Sequence, residues 1–245
     1  MINPITAYFN TGLLPVISCV NRSTVPIGPY SFDKLIATLQ KYNDICFSPV
    51  WGTPCKLIVS DVVKKGTWGM VFLNDADAAN ALGYHDLTKD GFPLSKIFTK
   101  TTIQSGEKVS VTASHELVEM LIDPAIQMIA SAPKGLMYAY EVADAVEAEE
   151  FLLDGIPMSN FQYPSWFEGF RKPGSTQFDY MKTCKKPFQI NRGGYMSIFQ
   201  NGRWSQIFAK TERNAASRFK IEEHPRAVRR AKHTPLQKLK KSKAE

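Results

Sequence analysis

The chain has 245 residues, 44% of them hydrophobic and 22% charged, which is enough apolar content for a full core and excludes a largely disordered, collagen-like or disulfide-scaffold chain. The formal net charge of +7 is unevenly placed: residues 210–245 carry 12 Lys/Arg against 4 Glu, so the first 209 residues hold 18 basic against 19 acidic groups. The reading is one compact domain over 1–209 followed by a basic, disordered tail over 210–245, too poor in large apolar side chains to offset its ordering entropy. Such a tail suits nucleic acid or an acidic protein surface, or is a solvated solubility tail; no aromatics are interleaved for base stacking and no DNA-reading motif accompanies it. No apolar run approaches the roughly 20 residues needed to span a bilayer, so no membrane partner is expected. The N-terminus lacks the basic n-region of a signal peptide, and a cytoplasmic location is expected. Cys19, Cys46, Cys55 and Cys184 show no metal-ligand or CxxC spacing and read as reduced, buried thiols.

In chain order, Leu35, Leu39 and Tyr42 recur at helical spacing after PIGPYS and predict a helix over 32–45. CKLIVSDVV and TWGMVFLND are short, apolar and bounded by turn residues, as strands are. A turn-rich GYHDLTKDGF leads to an extended PLSKIFTKTTI. SVTASHELVEMLIDP reads as a helix ending near Asp123, because the residue before Pro124 is pushed out of the α region. MYAYEVADAVEAEEF, from about Met137, reads as a second helix, and FQYPSWF, GGYMSIF and GRWSQIF as strands and loops. The expected class is α+β: a small mixed sheet packed on the first of these helices, a second helix, and a β-rich C-terminal part.

The informative stretch is His115-Glu116-Leu117-Val118-Glu119. Residues four apart share a helix face, so His115 and Glu119 can chelate one ion, with Glu116 beside them to accept a proton from metal-bound water. This is the HExxH pattern with Glu in place of the second His. The best third ligand is Glu141, with Asp144 three residues later placed to accept the other ring N–H of His115; Asp123 competes as a ligand but lies where the helix stops and suits an Asp-Pro turn. His85 in GYHDL is an extra ligand or transition-state donor, or a structural histidine; Tyr163 in NFQYPSWF is an oxyanion donor or a packing residue. Asn74, Asp75 and Asp77 form a partial calcium loop without its closing Glu and read as a loop or cap. Tyr138, Tyr140 and Trp166 read as packing residues, and His224 and His233 as solvated tail residues.

SHELVEMLIDP followed by YEVADAVE resembles the metallopeptidases of phage and prophage genomes, a zincin-like group with an SHExxE…DP…ExxD pattern, over most of residues 15–210. The two helices are also similar to the gluzincin arrangement. The resemblance implies a zincin-like fold in which His115, Glu119 and Glu141 bind zinc, Glu116 is the general base and Asp144 orients His115, with a peptide or protein as substrate. It also implies a phage setting, in the bacterial cytoplasm or on the virion, where the alternative role is a catalytically silent assembly protein with a structural metal. Glu119 stands where a gluzincin has His; a second carboxylate ligand makes zinc a weaker Lewis acid and also suits Mn²⁺, or Ca²⁺ if more oxygens join.

Overall fold

A computed structural model describes residues 14–78 and 81–209. The basic tail expected over 210–245 lies outside the described residues, as do His224 and His233.

The first half is a five-stranded sheet made of β1 (Val16–Asn21), β2 (Lys56–Val59), β3 (Trp68–Leu73), β4 (Gly83–Leu87) and β5 (Pro93–Phe98), in the order β2-β1-β3-β5-β4. Strands β1, β2, β3 and β5 are parallel; β4 closes one edge antiparallel to β5, with His85 opposite Ser95. Helix α1 (Phe32–Tyr42) links β1 to β2, its Ser31 side chain capping the Lys34 N–H and its Leu35, Ile36, Leu39 and Tyr42 buried. It runs beyond the expected residue 45, through a π-helical turn (Asn43–Phe47) into α2 (Ser48–Trp51), and stops at Gly52, whose φ of 69° provides the left-handed cap. Two expectations are corrected in this half. GYHDL is strand β4, not a turn. PLSKIF is strand as expected, but TKTTIQ coils into the short helix α3 (Thr99–Gln104). Strand β1 was not expected: both its faces are covered, so residues 17–20 are all buried and show no alternation.

Helix α4 (Val109–Ile122) spans SVTASHELVEMLI and ends at Asp123, as expected from Pro124. It lies against β4 and β5 on one side and against β9 (Ile156–Ser159) on another, so nearly every residue on it is buried. That position is what takes its polar residues out of water.

The expected second helix from Met137 is not formed. Met137–Ala139 is strand β7, paired with β6 (Ile129–Ser131) and with β10 (Tyr195–Gln200); Asp144–Val146 is one 3₁₀ turn, and Glu150–Leu153 is strand β8. The helix propensity of the Ala and Glu residues is overridden by tertiary pairing: Tyr138 is opposite both Ala130 and Ile198, with its ring between Trp166 and Phe188 at centroid distances of 5.9 and 4.8 Å. The C-terminal part is β-rich as expected, a four-stranded antiparallel sheet in the order β11-β10-β7-β6, with β11 at Arg203–Phe208, and a hairpin of β8 with β9 (Ile156–Ser159). FQYPSWF contributes an isolated bridge from Gln162 to Asp179 and a 3₁₀ turn (Pro164–Phe167) instead of a strand. The whole is mixed α+β, with one core cluster reaching from Ile17 and Leu39 through Leu117 and Val118 to Trp166 and Ile198. All four cysteines are buried free thiols, and no helix among the described residues is long and apolar enough to cross a membrane.

Candidate metal centre

Helix α4 places His115 and Glu119 one turn apart on the same face, Nε2 to Oε1 at 3.3 Å, as the i, i+4 spacing requires. Neither is a solvated surface group: His115 is 7% exposed and Glu119 is fully buried. Glu116, also buried, lies toward the sheet, its Oε2 3.5 Å from Nδ1 of His85. The strand geometry of β4 explains that contact. Gly83 and His85 are two apart and therefore share a face; a Cβ on Gly83 would stand 2.9 Å from Cγ of Glu116, so the glycine lets the helix come close enough for His85 to reach it. Nε2 of His85 is 3.1 Å from the carbonyl oxygen of Asp123. A carbonyl only accepts, so Nε2 carries a hydrogen, and Nδ1 is the nitrogen turned toward the carboxylates.

The segment after β7 supplies the rest. Glu141 and Asp144 are buried, as expected of groups brought back against α4, but a loop brings them there and not a helix. The loop is pinned: Gln162 N–H donates to the Val142 carbonyl, the Gln162 side chain accepts from Ala145 N–H, and Asn191 N–H donates to the Ala145 carbonyl. Ala143 N–H points at Oε1 of Glu119 at 3.4 Å. Oδ1 of Asp144 lies 3.3 Å from Nε2 of His115, the same ring nitrogen that faces Glu119. Asp144 is therefore beside His115 as expected, but at the nitrogen turned to the cluster and not at the other one.

Gly194 holds this loop from behind. A Cβ there would lie 2.6 Å from the carbonyl carbon of Ala145, a backbone atom that cannot swing aside. Gly194→Ala is expected to destabilise the fold by about 2–4 kcal/mol through overpacking, read as a lower denaturant midpoint at unchanged slope. An unchanged midpoint would show that the loop yields freely.

Two sets of potential donors converge here, each with its ligand atoms within 4.8 Å of one another: His85, Glu119 and Glu141, and His115, Glu116 and Glu119. The expected ligands His115, Glu119 and Glu141 are divided between the two sets, with Glu119 common to both. His85 is not merely a core histidine in a turn; it belongs to the cluster. Asp123 has the structural part expected of the Asp-Pro turn, its carboxylate accepting from the N–H groups of Gln127 and Met128 at 2.9 and 3.1 Å. Tyr163 stacks on Phe161, which places it in the aromatic wall of the C-terminal half. Asn74 ties its loop to Ser23 and Thr24, while Asp75 and Asp77 pair with Lys100 and Lys96, so this segment is a pinned loop.

Electrostatics mark the cluster as under-neutralised. Burial alone would lower the His115 pKa, but Glu119, Asp144 and Glu116 outweigh it and hold it well above the usual histidine value. Burial and then the charge of Glu119 push Asp144 well above the usual carboxylate range. Glu147, half-buried and absent from the sequence reading, is raised from 4.5 to about 7 by burial, opposed by His115 and reinforced by Glu119. Four buried carboxylates packed with two imidazoles are groups that could hold a cation.

No family profile matches this chain, and neither the curated proteins nor the solved structures contain a match to it.

Proposed function

We propose that the protein is a zincin-like metallopeptidase of the phage type. The observation that carries this reading is the burial of His115, Glu116, Glu119, Glu141 and Asp144 in one cluster with His85, which the solvated-face explanation of an HExxE helix does not accommodate. The donor set fits a divalent cation: His85 meets the usual second requirement of a ligating histidine, its other N–H fixed on a backbone carbonyl, and imidazole with carboxylate oxygens suits Zn²⁺ first and Mn²⁺ next. Glu119 with His85 and Glu141, or Glu119 with His115, are the residues that would hold it. When bound, the cation supplies an acidified water and polarises the scissile carbonyl.

The chain's own groups do the rest. Glu116, buried with its Oε2 3.5 Å from Nδ1 of His85, takes a proton onto its carboxylate. Oδ1 of Asp144 lies 3.3 Å from the same His115 nitrogen that faces Glu119, a further oxygen on the cation's side of the ring. Strand β4 is the edge of its sheet, and an extended peptide adding to that edge would lie along the strand that carries His85. Two carboxylate ligands weaken the Lewis acid, so turnover is expected to be slow.

The test is Glu116→Gln, which conserves shape and removes the base. Cleavage of a peptide library by the purified protein should fall by about 10²–10⁴-fold while the variant still binds cation. Unchanged cleavage would remove Glu116 from the mechanism.

A further inference from the structure

We infer that this centre is built for two divalent cations, one between His85, Glu119 and Glu141 and one between His115, Glu116 and Glu119, with Glu119 serving both. The inference rests on the metal-dependent reading above and extends it from one cation to two.

Three observations lead there. First, the donors do not crowd around one point but form two convergent sets that share a single residue. Donors about 2.0–2.2 Å from a common ion stand roughly 3–4.4 Å apart, and the 3.3 Å from His115 Nε2 to Glu119 Oε1 falls in that range. A carboxylate has two oxygens and can reach two ions about 3.5–4 Å apart, the spacing of two-metal hydrolytic sites. Second, each set has its own histidine from its own element: His85 from β4, its Nε2 engaged by the Asp123 carbonyl, and His115 from α4, its Nε2 turned to the carboxylates. Third, Oδ1 of Asp144, also buried, lies 3.3 Å from His115 Nε2, so a further carboxylate oxygen faces the second position. In this arrangement Glu116 also binds the second cation, so its loss removes one cation as well as hydrolysis.

The test is the metal-to-protein ratio of the full-length, tag-free protein, stripped with chelator and dialysed against zinc, and separately against manganese for electron paramagnetic resonance. The expected ratio is about two in the wild type, about one in His85→Asn and in His115→Asn, with spin-coupled manganese in the wild type and uncoupled manganese in both variants. A wild-type ratio of one, with uncoupled manganese, overturns the second position and leaves the metal-dependent reading standing. A ratio of zero overturns both. A ratio of two that neither variant changes places the ions elsewhere and also overturns the inference. The wild-type ratio and its spin coupling decide the matter even if a variant fails to fold.

Discussion

Glu119→Gln is expected to abolish cation binding, because Glu119 is the one residue common to both donor sets and is fully buried, so no neighbour on the surface can substitute for it. The amide keeps the volume and can still accept from Ala143 N–H, so the fold should survive. In the wild type, cation at about a hundred times its dissociation constant should stabilise the fold by about 2.7 kcal/mol, or roughly 5–10 °C in melting temperature for a domain of this size. In the variant that rise should vanish. Thermal melts of both proteins in chelator and in excess zinc check this. A variant that still gains stability from zinc would show that Glu119 is not the shared ligand.

The second large effect is on pH dependence. Glu147 keeps its proton up to about pH 7 in the folded protein but loses it near 4.5 when unfolded, so between those values the folded state binds more protons and stability falls as pH rises. For a half-buried group the loss is about 2–3 kcal/mol. Asp144, raised for the same reason of burial, acts in the same direction. His115 is raised as well; its protonated form stabilises the fold below the ordinary histidine pKa, and that contribution is lost as pH climbs through its folded value. All three signs agree: the chelated protein should melt progressively lower from about pH 5 to pH 8. Cation should oppose the trend, since ligands must be deprotonated to bind and affinity tightens as pH rises. Calorimetry across that range, with and without zinc, is the measurement, and Glu147→Gln should flatten the chelated curve. A chelated protein whose stability rises with pH would contradict the electrostatic description of the site.

What was legible in the sequence follows the range of the interactions involved. The His115–Glu119 pair depends only on helical period and on Pro124, both local, and it is formed as read. The return of Glu141 and Asp144 to α4 was legible in outline from the spacing, but their element was not: pairing of Tyr138 with strands on both sides decides it, and one of those partners, Ile198, lies 60 residues away. His85 was hidden for a related reason. GYHDL carries turn-forming residues, and only its antiparallel pairing with β5, opposite Ser95, makes it a strand whose inner face meets Glu116. Gly83, two residues before His85 on that face, is the signal that could have exposed it, since a small residue beside a histidine on a strand marks a close approach by another element. Glu147 gave no signal, because its raised pKa comes from burial and from charges on another element.

The measurement that bears most directly on the central claim is elemental analysis of the purified, tag-free protein beside a His115→Ala/Glu119→Ala double variant. A buried His–carboxylate centre predicts near-stoichiometric zinc or manganese, in at least one equivalent, that disappears from the double variant. A folded wild type that is metal-free, and remains so after zinc is added, would contradict it.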